Sequence, residues 1–221
     1  MTIPVQDILD RVTDLLLDKD RADDQARWTD TELIRWINDS RMAIITRKPS
    51  ACSKIATVPL AAGSHQQVPA NGVQLMDVIC NMGLTGDKPG RSIRRTDRQN
   101  LDDDDLYWQS STPKTEISQF TYDDRTPKDF FVWPPAVEGT QIKISYAAIP
   151  ATVTKPEDSL DIGLEVLDAV VNYVAYRAKS KDSQFANAAE AAGFYGAFGD
   201  ALGMQTQTQA AASPNQPGNS V

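Results

Sequence analysis

Apolar residues recur at helical intervals near both ends of the chain and at strand intervals between them. Val5, Ile8, Leu9, Val12, Leu15 and Leu16 share one helical face, and Asp7, Asp10, Arg11, Asp14 and Asp18 take the other. Pro4 suits the first turn, where its missing N–H costs nothing. Residues 18–25 (DKDRADDQ) have no apolar period and read as a loop. A second helix is predicted from Thr29. Thr29 and Glu32 have the capping-box spacing, in which hydroxyl and carboxylate each satisfy an orphan backbone N–H. Leu33, Trp36, Ile37, Ile44 and Ile45 mark its expected buried face, and Arg47 and Lys48 complement the helix dipole before Pro49 stops it. A hairpin of two such helices has apolar surface to spare and needs further helix to pack on.

From about residue 53 the punctuation becomes Pro, Gly, Asn and Asp with short β-rich runs between. Strands are predicted over 54–60, 66–68, 73–82, 92–95, 115–122, 130–133 and 141–147, with turns at residues 70–72 and at Asp123 and Asp124. The last run is the clearest: Ile142, Ile144 and Tyr146 alternate with Lys143 and Ser145. Pro134 and Pro135 are expected to end the strand before it, and His65 reads as an exposed ring in a turn. Helical period returns near Ile162, with Leu164, Leu167, Val170, Val171 and Val174 in one stripe. Asp182 or Ser183 is expected to cap a last helix, with Ala191, Phe194, Tyr195, Phe198 and Leu202 on one face. Gly193, Gly196, Gly199 and Gly203 fall in that helix, each at about 0.8–1 kcal/mol against alanine. Either a neighbour packs too closely there for a β-carbon, or partners order the helix. Residues 204–221 carry no charge and few large apolar groups, so alone they cannot offset their ordering entropy.

The order predicts an α+β fold: a four-helix bundle formed by the N- and C-terminal helix pairs, an inserted antiparallel β-sandwich or barrel, and an extended C-terminal tail. The parts are residues 1–52, 53–155, 156–203 and 204–221.

Composition narrows the function. Lys plus Arg number 22 against 30 Asp plus Glu, a formal charge of −8, so a protein built mainly to grip nucleic acid is disfavoured. Cys52 and Cys80 are too few for a disulfide scaffold and read as buried free thiols in a reducing compartment. No membrane span or signal peptide is predicted, and a single histidine excludes multi-histidine metal sites.

No nucleophile, base and oxyanion set assembles, so an enzyme is not expected, nor a cofactor. Asp102, Asp103, Asp104 and Asp105 could attract a divalent cation in a nuclease, but consecutive side chains diverge, and a solvated face is the simpler reading. Asp123 and Asp124 suit a turn better than acid–base chemistry. Arg91, Arg94, Arg95 and Arg98, with Lys88 nearby, form the one basic cluster. It could meet phosphates, as in a DNA-binding packaging factor, or pair with the acidic run of the same or a neighbouring chain. Trp108, Phe130, Phe131 and Trp133 serve a β core or a contact surface equally well.

Several stretches, in order, resemble the head-to-tail connector adaptors of tailed bacteriophages: RWTD and ELIRWIND (residues 27–30 and 32–39), RKP (47–49), QVP (67–69), DVICN (77–81), DLYW (105–108), YDD (122–124), PKDFFVWPP (127–135), YAAIP (146–150), and NYVAYRA with SKD (172–178 and 180–182). Tyr195, Phe198, Leu202 and Gly203 continue the likeness, which covers residues 5–204. The resemblance implies a virion structural protein made in the host bacterial cytoplasm. Its copies form a ring, commonly twelvefold, in the virion neck. The ring joins the portal protein to a tail or nozzle protein and lines the channel through which duplex DNA passes unbound. It implies portal contacts from the last helix and tail, for which Phe198, Leu202, Met204, Gln205, Gln207, Gln209, Pro214 and Pro217 are candidates. The tail is expected to order only there. Ion pairs between subunits are expected from Arg91, Arg94, Arg95, Arg98, Asp102, Asp103, Asp104 and Asp105, and an acidic channel from this run or from Asp7, Asp10, Asp14, Asp18, Asp23 and Asp24.

Overall fold

A computed structural model describes residues 2–18, 26–181 and 186–212, with residues 204–212 described by their backbone. Strand β1 (Ile3–Pro4) leads into helix α1 (Val5–Leu15), which buries Val5, Ile8, Leu9 and Val12. Leu16, four residues after Val12, continues the buried stripe just beyond the helix, whereas Leu15 lies off that stripe and is exposed. Asp18 is buried, and its carboxylate accepts from the backbone N–H groups of Arg27 and Trp28 at 2.8 and 3.4 Å. Helix α2 (Asp30–Arg47) opens with the capping box in place, the Thr29 hydroxyl and the Glu32 carboxylate each accepting the other's backbone N–H at 3.4 Å. Its buried residues are Leu33, Ile34, Ile37, Ser40, Arg41, Ile44 and Ile45. Trp36 is only half-buried, because it lies about 100° around the helix from Ile37, at the edge of the stripe.

The chain divides into two compact units, Met1–Cys52 with Pro150–Val221, and Ser53–Ile149. The second is all β apart from short helical turns. Its strands are β2 (Ser53–Pro59), β3 (Gly63–Gln67), β4 (Gly72–Gly83), β5 (Arg94–Arg95), β6 (Gln119–Tyr122), β7 (Asp129–Ala136) and β8 (Gln141–Ala148), with helix α3 (Arg98–Asp104) between β5 and β6. Strand β8 lies between β2 and β4, antiparallel to both, and buries Ile142, Ile144 and Tyr146 as its alternation predicts. The other sheet runs β3-β7-β6-β5, antiparallel except for the β5–β6 pair. One core draws on both sheets, with Leu75, Val78, Phe120, Phe130, Val132, Ile142 and Ile144 fully or almost fully buried.

Three details of this unit differ from the sequence reading. Strand β7 continues through Pro134 and Pro135, because the register of β3 shifts opposite them and β6 begins only opposite Trp133, so neither proline removes a needed ladder N–H. His65 sits in β3, not a turn, with its ring nitrogen 2.9 Å from Asp129 Oδ1. Helix α3, where the sequence reading places no helix, carries Asp102, Asp103 and Asp104 of the acidic run, whose solvated face it presents. Asn81 is buried and replaces a stretch of ladder: its Nδ2 donates to the carbonyls of Arg91 and Ile117 at 2.9 and 2.8 Å, and its Oδ1 accepts from Ile117 N–H at 2.8 Å. Both cysteines are buried, and neither is in a disulfide.

The chain rejoins the helical unit at Pro150, earlier than residue 156, because two α2 side chains hold the return segment. Asn38 exchanges two hydrogen bonds with the backbone of Val153 at 2.8 and 3.1 Å. Arg41 donates to the Pro150 carbonyl at 2.7 Å. Strand β9 (Ser159–Leu160) pairs with β1. Helix α4 (Leu167–Ser180) packs on α1 and α2 and on the last helix, α5 (Ala188–Ala212). It buries Leu167, Ala169, Val170, Val174, Ala175 and Ala178, whereas Leu164, before its start, is exposed. Asp182 and Ser183 lie outside the described residues. The cap of α5 is Asn187, whose Oδ1 accepts from the N–H groups of Ala189 and Glu190 at 3.1 and 3.2 Å. Helix α5 runs through Ala212, where the sequence reading has an extended tail from Met204. Alanine is the strongest helix former, and no breaker occurs in the sequence until Pro214.

Candidate functional site

Helices α2, α4 and α5 leave an open groove of about 600 Å³ lined by Asp39, Met42, Ala43, Thr46 and Arg47 of α2, Tyr173, Tyr176 and Arg177 of α4, and Tyr195 and Phe198 of α5. The lining follows from helical spacing. Tyr173 and Tyr176 stand three residues apart, beside the buried Val170–Val174 stripe, and Tyr195 and Phe198 do the same on α5. The rings interlock: Tyr173 meets Phe198 at 5.3 Å and Tyr176 at 5.9 Å, and Tyr176 meets Tyr195 at 4.9 Å. The Arg47 guanidinium lies over Tyr195 and Phe198 at 4.8 and 4.7 Å and donates to the Tyr195 hydroxyl at 2.6 Å. Arg177 donates to the Tyr173 hydroxyl at 3.3 Å and pairs with Asp39 at 3.3 Å. The groove therefore offers aromatic faces, phenol groups and one guanidinium, Arg47, that is held by rings and a hydroxyl rather than by a carboxylate.

The candidate portal-contact residues divide. Phe198 is fully buried and Leu202 nearly so, which makes both anchors of α5 within this chain. Met204, Gln205, Gln207 and Gln209 lie on the helical backbone of α5, and Pro214 and Pro217 lie outside the described residues. A β-carbon at Gly193, Gly196 or Gly203 would meet nothing within 4 Å, and one at Gly199 would meet only Arg47 Nη1 at 3.5 Å. Close packing inside the described chain is therefore not what places glycine there.

The Arg and Asp candidates are brought together in the β unit and pair partly within the chain. Arg98 meets Asp102 at 3.4 Å along α3, and Arg91 meets Glu116 at 3.5 Å. Arg95 lies over the Tyr122 ring at 4.6 Å. Asp102 also accepts from the buried Trp108 indole N–H at 2.8 Å, and Asp105 accepts from the Tyr107 N–H at 2.8 Å. Arg94, Asp103 and Asp104 are exposed. Among the described residues no group of three or more His, Cys, Asp or Glu is arranged to hold a metal ion. The turn carboxylate of Asp123 is held down to about 2, first by the Arg125 side chain, which donates to it at 2.7 Å. Asp129 is likewise held below the ordinary carboxylate range, by hydrogen bonds from Gln67 and then His65.

Of the acidic channel candidates, Asp7 pairs with Arg11 at 3.2 Å and Asp10 accepts from Gln6 at 2.8 Å, both on the outer face of α1. Asp18, expected among these, is instead buried and accepts from the backbone N–H groups of Arg27 and Trp28, so it does not face a channel. Asp23 and Asp24 lie outside the described residues. Sequence reasoning missed the groove, although the aromatic pairs Tyr173 and Tyr176 on α4 and Tyr195 and Phe198 on α5 carried a signal for it.

A family model described as SU10 adaptor protein matches residues 3–218, nearly the whole chain, so the chain belongs to that family. No curated protein matches it. No helix among the described residues is long and apolar enough to cross a membrane.

Proposed function

We propose that this phage structural adaptor works as a non-enzymatic ring subunit in the virion neck, joining the portal to the tail or nozzle protein and lining the DNA channel. The observation that carries the reading is the family match across residues 3–218, which takes in both units. The ends of the chain would form a four-helix bundle, with residues 53–149 as a β-sandwich module. Bundles packed side by side in a closed ring bury one another's spare faces, and the open glycine face of α5 suits a close neighbour. Exposed Arg91, Arg94, Arg95, Arg98, Asp103, Asp104 and Asp105 would pair across that boundary. Met204, Gln205, Gln207 and Gln209 on α5 would contact the portal, with Phe198 and Leu202 fixing the helix that carries them. At −8 per copy, a twelvefold ring would carry a formal charge of about −96. Asp7, Asp10 and Asp14 facing the lumen would repel phosphates and let the duplex slide.

Mass photometry of the protein alone and with its portal tests the reading. A portal-dependent ring is the expected result. A chain that stays monomeric at saturating portal overturns it. A DNA-binding packaging factor is the second reading, favoured by the exposed arginine cluster of the β unit. It requires salt-dependent duplex binding at about 50 mM salt.

A further inference from the structure

We propose that the exposed turn Leu106-Tyr107 of one copy, with Asp103 and Asp104 beside it, docks in the α2–α4–α5 groove of a neighbouring copy, where its carboxylates meet Arg47. The inference rests on copies meeting, as the ring reading requires, and names the residue that Asp103 and Asp104 find across the boundary.

The turn is held ready for a partner. Leu106 and Tyr107 are 82% and 77% exposed, the two most exposed large apolar residues of the β unit. They do not sit on a loose loop. Asp105 Oδ1 accepts from the Tyr107 N–H at 2.8 Å, and the Asp105 carbonyl accepts from the Trp108 N–H at 3.0 Å. The Tyr107 carbonyl accepts from the Ser110 N–H at 2.9 Å. Trp108 roots the turn: its ring is buried and its indole N–H donates to Asp102. A turn already ordered loses little conformational freedom on docking. Asp102 pairs with Arg98 and Asp105 is spent on the turn, which leaves Asp103 and Asp104 exposed and without an ion pair among the described residues.

The groove complements this turn in charge and in form. Arg177 is paired with Asp39 at 3.3 Å and Lys179 with Glu190 at 2.7 Å, so Arg47 is the cation left over. One of its five N–H donors goes to the Tyr195 hydroxyl, and others remain for a charge-assisted bond to an incoming carboxylate. Tyr195 accepts from Arg47 and so keeps its own O–H to donate. Beside the hollow of about 600 Å³ lies a second of about 390 Å³, which shares Tyr176 and Tyr195 and is walled by Ala188, Ala191 and Ala192. Two adjoining hollows, one aromatic and one aliphatic, suit two adjacent apolar side chains. Neither half of the match is filled within the copy: the turn is exposed, and every residue lining the hollows comes from the helical unit. Two unlike patches carried by the same chain make a head-to-tail contact, the kind that closes into a ring.

The test uses full-length chains carrying either Arg47→Glu or the pair Asp103→Lys and Asp104→Lys, each mixed with the portal, with rings counted by mass photometry. Each variant alone sets like charge against like and should form at least tenfold fewer rings than the unsubstituted chain. Mixed in equal amounts the two should form rings again, because every contact in an alternating ring then joins opposite charges. A chain that failed to fold could not be rescued in this way. Leu106→Ser with Tyr107→Ser should also lower the ring count, with an unchanged circular dichroism spectrum, since both side chains are exposed. Variants that form rings as readily as the unsubstituted chain, or a mixture that does not recover, overturn the proposal. A loss confined to Arg47→Glu puts another partner, such as the portal, in the groove and overturns it as well. The adaptor reading is judged on the unsubstituted chain: rings on the portal keep it standing even where the variants sink this inference.

Discussion

The helical unit and the β unit are held together by different means. The helical unit is drawn from two stretches of chain, and α1 and α2 bury their stripes only when α4, about 120 residues later, arrives. Polar ties fasten the two stretches: Asn38 to Val153, Arg41 to Pro150, and Glu32 to Lys181 at 2.6 Å. The β unit is one uninterrupted stretch with a core of its own, and its main polar tie, Asn81, joins segments within about 40 residues. The contrast teaches where assembly surface is available. The β core is closed on itself and leaves exposed apolar residues such as Leu106 and Tyr107 at its surface, while the helical unit leaves a concave aromatic groove open to solvent.

The largest effect that would test this contrast is Phe198→Ala. Removing a fully buried ring should cost about 3–5 kcal/mol. The loss should appear in the helical signal of a denaturant titration and leave the β unit's transition in place. If both transitions fall together, the units are not energetically separate. The mirror experiment is Asn81→Ala, which strands the N–H and carbonyl of Ile117, while the Arg91 carbonyl keeps the backbone N–H of residue 81, and should cost about 2–4 kcal/mol. Here the β transition should move and the helical one should not.

Arg41→Met comes next. Burial pulls the Arg41 guanidinium below its ordinary pKa, yet it stays charged and holds the Pro150 carbonyl. Methionine fills the space without donating, and a loss of about 1–3 kcal/mol in the helical unit is expected by chemical denaturation.

A smaller effect follows pH. Glu32 lies below the ordinary carboxylate range, first because Lys181 donates to it. A carboxyl depressed in the folded state stabilises it above the unfolded pKa, about 4.3, and that contribution is lost as pH falls through the folded value. The pair is partly exposed, so its worth is at most about 1 kcal/mol. Thermal melts from pH 6 to 3 should show the wild-type helical unit losing more stability than Lys181→Ala, and the two should converge at low pH. At the foot of the series, Arg125→Ala should leave both transitions unmoved, because Asp123 and Arg125 are solvated.

Local signals carried much of the fold. Thr29 and Glu32 announce the start of α2, and the alternation of residues 142–146 announces β8. Signals that depend on remote partners did not survive reading along the chain. Trp36 fits the period yet lies at the edge of its stripe, and His65 looks like a turn residue until β7 is placed beside it. Helix α3 is short, and its three carboxylates, followed by Asp105, mask a single buried leucine, Leu101. The groove was the least legible feature, because its tyrosines come from two helices and Arg47 from a third. No window of sequence contains all of them.

The split build of the helical unit also bears on synthesis. Arg47 and Leu167 are separated by about 120 residues, so the first two helices leave the ribosome roughly 6–24 s before α4 does, at 5–20 residues per second. During that wait the β segment emerges whole and can fold, while the N-terminal pair keeps its greasy side uncovered. Nascent chains stalled before residue 167 should accordingly be the ones that chaperones hold.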